Sequence, residues 1–378
     1  MKKKIISCTA LLFFLIAFAG CGKINPAEMN AGTSKPLNTM ELKYADQFSV
    51  DYYEKGFKLI SINEGDRFLI VPEGEKKPKA LPESIKVIKQ PVENIYIAAT
   101  SSMCLFDALD RLDAIRFSGT RQDGWYIKNA ADAMAKGEII YAGKYSEPDY
   151  EMLLHENCDL AVESTMIGHA SDVKDKLQSL GIPVLVDHSS METHPLGRCE
   201  WIKLYAAILN EEEKAEELFD EQAKCLDSLS EASSTGKTAA FFHISSSGFV
   251  VARRTGDYVS RMIELSGGDY IFKNLGDPKK ASSTVTIEME EFYSAAKEAD
   301  FIFYNSTIGG EIKSMQEFLS LNSLLGNFKA VKNNNVWCTG KNMFQETMQF
   351  GEMIKEMNTI FTSEDPGLIK TDYFFKLQ

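Results

Sequence analysis

Three arginines follow predicted strand or helix boundaries, where their side chains would reach the mouth of a cleft. Arg198 comes after a glycine at a predicted helix start, and Arg253 and Arg254 come after a predicted strand. A guanidinium group binds a carboxylate through two parallel hydrogen bonds. Because the chain has a formal net charge of -13, cations grouped in this way predict an anionic ligand, such as a carboxylate-bearing or catecholate iron chelate. The alternative is that Arg253 and Arg254 form ordinary surface ion pairs.

Apolar side chains accompany these arginines in the same predicted loops. Trp125, Tyr126, Phe249 and Phe344 can pack against a large flat or polycyclic ligand, although core packing is the alternative for each of them. The predicted ligand site comprises Met103, Trp125, Tyr126, Met166, His169, His194, Arg198, Phe249, Arg253, Arg254, Asn305 and Phe344.

The histidines raise the question of a bare metal ion. Direct binding of zinc or manganese needs three or four converging ligands. His169, His188 and His194 follow predicted strands of one lobe, and His243 follows a strand of the other. The chain has no HxH or HExxH pair. A bare zinc or manganese site is therefore kept as an alternative, and no residue is predicted as a metal ligand.

The chain shows none of the common signatures of an enzyme. It has no GxSxG elbow, no Walker A loop and no GxGxxG turn after a strand. We predict a binding protein without catalytic residues or a cofactor. An enzyme or redox protein on a two-lobed α/β fold is the alternative from another class. The negative net charge argues against nucleic acid as a partner.

The first residues have the pattern of a secretory signal. Lys2 to Lys4 form a basic stretch, residues 5–19 are apolar, and Phe18-Ala19-Gly20-Cys21 resembles a bacterial lipobox. We predict a signal peptide at residues 1–20, lipidation at Cys21 and a flexible tether at residues 21–45. An uncleaved membrane anchor is the alternative. In both cases the folded part lies outside the cytoplasm, attached to the cell membrane.

Strand and helix patterns alternate along the rest of the chain, which predicts two α/β lobes with mainly parallel sheets flanked by helices. Short apolar runs within residues 46–74 predict an additional β-meander. We place the N-terminal lobe at residues 46–198, a helical joining segment at 199–232 and the C-terminal lobe at 237–378. Ligands bind beyond the carboxyl ends of the strands in such sheets, so the candidate residues are expected on two facing rims.

The joining segment has the pattern of one helix, a break and a second, longer helix. Trp201, Leu204, Tyr205 and Ile208 form an apolar stripe on the first helix. Asn210, three residues before a glutamate, predicts the N-cap of the second helix through a capping box. At ~1.5 Å per residue, a helix of about twenty residues is roughly 30 Å long. We predict that it joins the two lobes as a strut; a plain surface helix of one lobe is the alternative.

Several stretches resemble the ABC-importer substrate-binding proteins whose two lobes are joined by one rigid helix. That family includes the binding proteins for iron-siderophore chelates, haem and cobalamin, and the zinc and manganese binders are related to it. The resemblance runs from Asn94 to the C-terminus and leaves out the predicted meander. The stretches that carry it are EPDYEMLLHENCDLAVES, LQSLGIPVLVD, HPLGRCEW with the following EEEKAEELF, and SRMIELSGGDYIF.

The resemblance implies a function and partners. The protein would capture a metal chelate between its lobes and deliver it to a membrane permease with its ATPase, acting as a monomer. An iron-siderophore is the first choice of ligand, followed by cobalamin or another corrinoid, haem, and bare zinc or manganese. In the family, one glutamate on each lobe docks onto permease arginines. These match Glu151 and Glu290, with Glu288 and Glu291 competing for the second position.

Overall fold

The structure is a computed structural model that describes residues 35–378, apart from residues 64, 228, 230–233 and 278–282. The predicted signal peptide, Cys21 and the first part of the predicted tether lie outside the described residues. Within the described part, no helix is long and apolar enough to cross a membrane.

A five-stranded sheet precedes the first lobe. Its strands are β1 (Asn38–Thr39), β2 (Phe48–Tyr52), β3 (Lys58–Ile62), β4 (Arg67–Val71) and β5 (Ile85–Lys89). The first four pair antiparallel, which confirms the predicted meander, and β5 pairs parallel with β4. The sheet therefore extends beyond residues 46–74, and β1 lies in the stretch that was expected to be a flexible tether.

The N-terminal lobe is built on a second sheet. Its elements are β6 (Ile95–Ile97), α1 (Met103–Ala108), β7 (Ile115–Ser118), α2 (Lys128–Ala135), β8 (Ile140–Tyr141), β9 (Gly143–Lys144), β10 (Glu147–Pro148), α3 (Tyr150–His155), β11 (Leu160–Ser164), α4 (Ser171–Ser179) and β12 (Val184–Asp187). The order β12-β11-β6-β7-β8 is parallel throughout, as the sequence predicts. The carboxyl ends of these strands consequently meet at one edge.

The joining segment contains α5 (Pro195–Glu200), α6 (Ile202–Leu209) and α7 (Glu212–Asp227). Every residue of α6 is buried, so the helix has no exposed face beside its apolar stripe. Its burial is explained by the N-terminal sheet, whose Val50, Ile60 and Phe68 belong to the same hydrophobic cluster as α6.

The prediction that Asn210 caps the second helix is wrong. Asn210 has a left-handed backbone, φ 60°, and ends α6. Its Oδ1 accepts hydrogen bonds from Lys58 Nζ at 2.8 Å and Gln90 Nε2 at 3.0 Å. Asparagine suits either terminus of a helix, and here the donors from the N-terminal sheet engage the side chain that a cap would need.

The C-terminal lobe is built on a third sheet. Its elements are β13 (Thr238–Ile244), β14 (Val250–Arg253), α8 (Tyr258–Leu265), β15 (Asp269–Tyr270), β16 (Thr284–Ile287), α9 (Met289–Ala296), β17 (Phe301–Tyr304), α10 (Ser306–Gly309), α11 (Met315–Ser320), α12 (Lys329–Lys332), β18 (Val336–Thr339), α13 (Phe350–Thr362) and β19 (Phe374–Lys376). The centre is parallel, with β13, β17 and β18 side by side. The flanks are antiparallel, because β14 folds back on β13 through a hairpin and β19 returns beside β18.

Helix α7 reaches both lobes, as predicted for the strut. Near its start, Glu212 pairs with Lys58 of the five-stranded N-terminal sheet. Lys214 Nζ donates to the carbonyl oxygen of Leu109, directly after α1 of the N-terminal lobe, at 3.0 Å. Near its end, Gln222 Oε1 accepts the N–H of Gly351 on α13 at 3.2 Å. Gly351 lets the two helices approach closely, since a Cβ there would lie only 2.8 Å from the Cβ of Cys225.

Candidate ligand-binding cleft

The strand ends of the two lobes face each other, and hydrogen bonds join them directly. The N–H of Tyr126, after β7, donates to Gln345 Oε1, after β18, at 2.8 Å. Gln345 Nε2 donates to the carbonyl oxygen of Gly124 at 2.8 Å. The two rims expected from the strand pattern therefore face each other and are in contact at Gln345, and we call the region between them the candidate cleft.

Two of the three candidate arginines converge. Arg198 comes from α5 in the joining segment, and Arg253 is the last residue of β14 in the C-terminal lobe. Their guanidinium carbons lie 4.1 Å and 5.6 Å from the centre of the same ring, that of Tyr258. The exposed fractions of the two residues are 8% and 6%. Both cations are thus held against one aromatic face and largely removed from water.

This arginine pair carries an excess of positive charge. Asp257 Oδ1 lies 3.6 Å from Arg253 Nη1, and among the described residues no other carboxylate forms an ion pair with either arginine. Burial raises the pKa of Asp257, while the positive charges of Arg253 and Arg198 act in the opposite direction. The Nε of Arg198 is buried and has no hydrogen-bond partner in the described part of the chain. Such a site suits an anion that brings its own acceptors.

Aromatic rings surround the pair. Phe344 and Phe241 lie 5.2 Å and 5.7 Å from the guanidinium carbon of Arg253. Tyr258 also stacks on Phe350 with ring centres 5.3 Å apart. Rings on several sides restrict the rotamers of the guanidinium groups, so that binding an anion costs little side-chain entropy.

Arg254 does not join this group. Its Nη1 donates to the carbonyl oxygen of Asp277 at 3.4 Å, and its side chain packs over Gly276. Successive residues of an extended chain point to opposite sides. The structure therefore separates the two predicted ligand residues: Arg253 lies beside Tyr258, whereas Arg254 contacts Asp277.

Four exposed apolar side chains lie shortly after strand ends, in loops or short helical turns. Tyr126 and Met166 follow β7 and β11 of the N-terminal lobe. Phe249 and Ile308 follow β13 and β17 of the C-terminal lobe. Large exposed apolar residues at strand ends that face another lobe suit contact with a ligand or a partner. We call these four residues the apolar rim.

Polar residues complete the C-terminal side of the cleft. Asn305, directly after β17, is buried, and its Oδ1 has no partner among the described residues. His243 lies near the carboxyl end of β13. Burial lowers the pKa of His243, and the positive charge of Arg253 adds to this effect. Both effects favour the neutral imidazole, which can donate or accept a hydrogen bond.

Several predicted ligand residues have structural roles instead. Met103 is fully buried in the core. Trp125 is buried and donates from Nε1 to Ser118 Oγ at 3.0 Å. His194 Nδ1 accepts the N–H of Leu196 at the start of α5, and its ring stacks on Tyr44 at 4.4 Å. These three positions are corrections, because each side chain already packs or bonds within the protein.

The histidines do not assemble a metal site. His169 is exposed in the loop after β11, whereas His188 is buried after β12. Burial lowers the pKa of His194 to about 4, in keeping with its place beside Tyr44. Among the described residues, no group of three or more His, Cys, Asp or Glu is placed to hold a metal ion.

Several residues of the cleft are missing from the predicted ligand site, among them Asp257, Tyr258 and Gln345. Asp257 has a recognisable signal, since an aspartate before an apolar helix is a typical N-cap, and its Oδ1 accepts the N–H of Val259 at 3.0 Å. Nothing in the local sequence marks Tyr258 as the ring that two arginines share. The strand-end rule places Gln345, after β18, on the rim that faces the other lobe, but no local signal identifies its partners there.

The candidate docking glutamates are exposed. Glu151 lies in the first turn of α3 on the N-terminal lobe, and Glu290 lies in the first turn of α9 on the C-terminal lobe. Glu288 and Glu291 are exposed beside it. All four carboxylates are therefore accessible to a partner protein. Their exposure does not distinguish Glu288, Glu290 and Glu291 as the docking residue of the C-terminal lobe.

Comparison with known sequences identifies one protein family and two similar lipoproteins. A family model described as periplasmic binding protein matches residues 120–343, more than half of the chain. An uncharacterized lipoprotein of Methanocaldococcus jannaschii is 26% identical over 411 residues, with 99% of this chain and 96% of that protein covered. A second uncharacterized lipoprotein of the same organism is 23% identical over 359 residues, with 88% of each chain covered.

Solved structures share the fold at low sequence identity. A periplasmic haem-binding protein of Vibrio cholerae has a TM-score of 0.57 at 16% identity, covering 70% of this chain and 98% of that one. A petrobactin-binding protein of Bacillus subtilis has a TM-score of 0.57 at 15% identity, covering 72% and 93%. About 70% of this chain matches almost the whole of each of these two proteins. The rest of this chain has no counterpart in them.

Proposed function

The chain belongs to the periplasmic binding protein family, and we propose that it is the extracytoplasmic substrate-binding lipoprotein of an ABC importer. It captures an anionic metal chelate between its lobes and presents it to a permease that works with an ATPase. An iron-siderophore is the first ligand class. The proposal includes lipidation at Cys21 and the predicted lobe boundaries, with α5 (Pro195–Glu200) crossing the boundary at residue 198 into the joining segment.

One observation carries the choice of ligand charge. Arg198 on α5 and Arg253 of the C-terminal lobe meet at the ring of Tyr258. Among the described residues, the only carboxylate that forms an ion pair with either of them is Asp257, beside Arg253. A buried cation pair with one counter-charge is costly unless an anion completes it. Carboxylate or catecholate oxygens of a chelate provide that charge in a form that guanidinium groups bind well.

The apolar rim supports a ligand larger than a simple anion. Its four side chains, two on each lobe, are among the few large hydrophobic residues that are exposed in the described part of the chain. Contact with the organic part of a chelate would remove them from water, at ~25 cal/mol per Å² of apolar surface. A bare inorganic anion would leave this surface exposed.

The proposed function also assigns roles to the joining helix α7 and to the docking glutamates. Because α7 is held at both ends, by Lys58 and by Gly351, we expect the lobes to move little between ligand-free and ligand-bound states. Glu151 and Glu290 then supply one docking carboxylate on each lobe. Arginine residues of a permease are suitable partners for both.

The test is a thermal-shift comparison on the purified full chain. Ferric catecholate and ferric carboxylate chelates, haem, cobalamin, and zinc or manganese salts would be added separately. A ligand that binds the folded state raises the melting temperature by mass action. A shift with ferric chelates and none with bare ions supports the proposal. A shift only with haem or cobalamin changes the ligand class, and a shift only with zinc or manganese salts contradicts the role of the arginines.

A further inference from the structure

Gln345 connects the two lobes with both ends of its side-chain amide. Its Oε1 accepts from the N–H of Tyr126, and its Nε2 donates to the carbonyl oxygen of Gly124. The two bonds engage one turn of the N-terminal lobe at residues only two apart. A primary amide offers one acceptor and two donors, so it can satisfy a backbone N–H and a backbone C=O simultaneously.

The loop that carries Gln345 is firmly attached to its own lobe and to the joining segment. Glu346 accepts hydrogen bonds from the hydroxyl of Tyr373 at 2.9 Å and from Asn342 Nδ2 at 3.1 Å. The carbonyl oxygen of Thr347 accepts from Cys199 Sγ at 3.0 Å. A displacement of the N-terminal rim is therefore transmitted through Gln345 to a loop with several fixed points.

The residue before Gln345 lies against the arginine pair. The ring of Phe344 is 5.2 Å from the guanidinium carbon of Arg253, and Arg253 is 6% exposed. Phe344 is one of the rings that separate this cation from water. Gln345 thus contacts the opposite lobe, and the neighbouring residue Phe344 covers Arg253.

We infer that Gln345 is a positioning residue of the cleft. It holds the Tyr126 turn against the C-terminal lobe and, through the same loop, keeps Phe344 on Arg253. Loss of the amide would free the N-terminal rim and let water and solutes reach the guanidinium group. The inference rests on the proposed function only for what the cleft binds, because the contact itself needs no ligand.

The experiment compares Gln345→Ala with Gln122→Ala on the full chain without ligand. Gln122 is an exposed glutamine at the start of the same N-terminal turn, so its variant is a matched control. Hydrogen exchange of the Tyr126 amide reports the contact between the lobes. Modification of Arg253 by phenylglyoxal, followed by peptide mass mapping, reports the cover that Phe344 provides.

In Gln345→Ala, both rates should rise by at least roughly threefold to tenfold, because the variant loses two hydrogen bonds and the loss of one ordinary hydrogen bond already produces a change of about this size. In Gln122→Ala, both should match the wild type. Equal Tyr126 exchange in wild type and Gln345→Ala would show that the contact does not persist in solution. Faster Tyr126 exchange with unchanged Arg253 modification would overturn the coupling to the arginine. Neither readout depends on a ligand. The test of Gln345 therefore keeps its meaning even if the protein does not bind a metal chelate.

Discussion

Glu192 and Glu200 together accept hydrogen bonds from five successive backbone N–H groups, those of residues 43–47. Both carboxylates are buried. Glu200 also lies 3.2 Å from Lys203 Nζ, and Glu192 accepts from Trp201 Nε1 at 2.9 Å. The stretch that leads into the N-terminal sheet is therefore fixed to the joining segment, at the base of the two lobes.

The first prediction concerns this attachment. In Glu200→Gln, one carboxylate oxygen becomes an amide NH₂ that faces backbone donors, and Lys203 keeps only its ion pair with the exposed Glu216. We expect the free energy of unfolding to fall by roughly 2–4 kcal/mol, the range for an unsatisfied buried donor or a broken buried ion pair. Urea unfolding measures this change. Glu217→Gln on the exposed side of α7 is the control and should change stability by less than about 0.5 kcal/mol.

The second prediction concerns pH. Glu163 on β11 is fully buried with no partner for either oxygen among the described residues, and burial raises its pKa from 4.5 to about 8. Between these values the folded state keeps a proton that the unfolded state has lost, so the free energy of unfolding falls as pH rises. From pH 6 to pH 8 the loss from this group should be about 2 kcal/mol.

The matching variant is Glu163→Gln, which cannot titrate. Urea unfolding at several pH values should show a shallower decline for the variant than for the wild type over this range. Glu192, whose pKa burial raises to about 7, contributes to the slope of both proteins and cancels in the comparison. Parallel pH profiles would mean that Glu163 is ionised or paired in the folded protein.

The third prediction concerns ligand affinity. Arg198→Gln removes one cation of the pair but leaves Arg253 bound to Asp257. Affinity for a ferric chelate should fall by roughly 1.5–3 kcal/mol, the range for a charged hydrogen bond, measured by isothermal titration calorimetry. Arg254→Gln should bind as the wild type does, because Arg254 points away from Tyr258. Equal losses in both variants would indicate a general effect of net charge.

The fourth prediction concerns the permease. Charge reversal at both Glu151 and Glu290 should abolish uptake into cells that carry the permease, because carboxylates no longer meet its arginines. Chelate affinity of the purified variant should stay unchanged, since both residues are exposed on the outer surfaces of α3 and α9. Glu147→Lys with Glu298→Lys reverses two other exposed glutamates and should leave uptake intact.

Loss of affinity in the first double variant would contradict the docking role. Single reversals at Glu288, Glu290 and Glu291 then identify the carboxylate of α9 that the permease contacts. One of the three should lower uptake far more than the others.

Much of the fold follows from local patterns. The buried runs at Ile95 and Leu160 become strands of a parallel sheet, because short apolar runs between turn signals have few other ways to bury both faces. The helix that begins near Glu212 joins the lobes as expected. Strand β5 escaped prediction, since its partner β4 is separated from it by a proline-containing loop and no local signal indicates which strand it joins.

The sequence predicted the kinds of side chain in the site better than the individual residues that form it. Arg198 and Arg253 were candidates because guanidinium groups suit an anionic ligand, and the fold brings them together. Met103 and His194 had equally plausible positions after strands, yet their side chains are engaged in the core and at a helix start. A strand end specifies where the backbone goes, whereas the direction of the side chain depends on what packs around it.

By itself, the sequence determined two α/β lobes, a joining helix and a set of cations in an acidic chain, because periodicity and charge are properties of neighbouring residues. Only the tertiary structure decided that Arg253 and not Arg254 shares the ring of Tyr258, and that Gln345 bonds across the cleft. These choices depend on contacts between residues that are far apart in the chain. Such contacts exist only after the sheets have formed and the lobes have been set against each other.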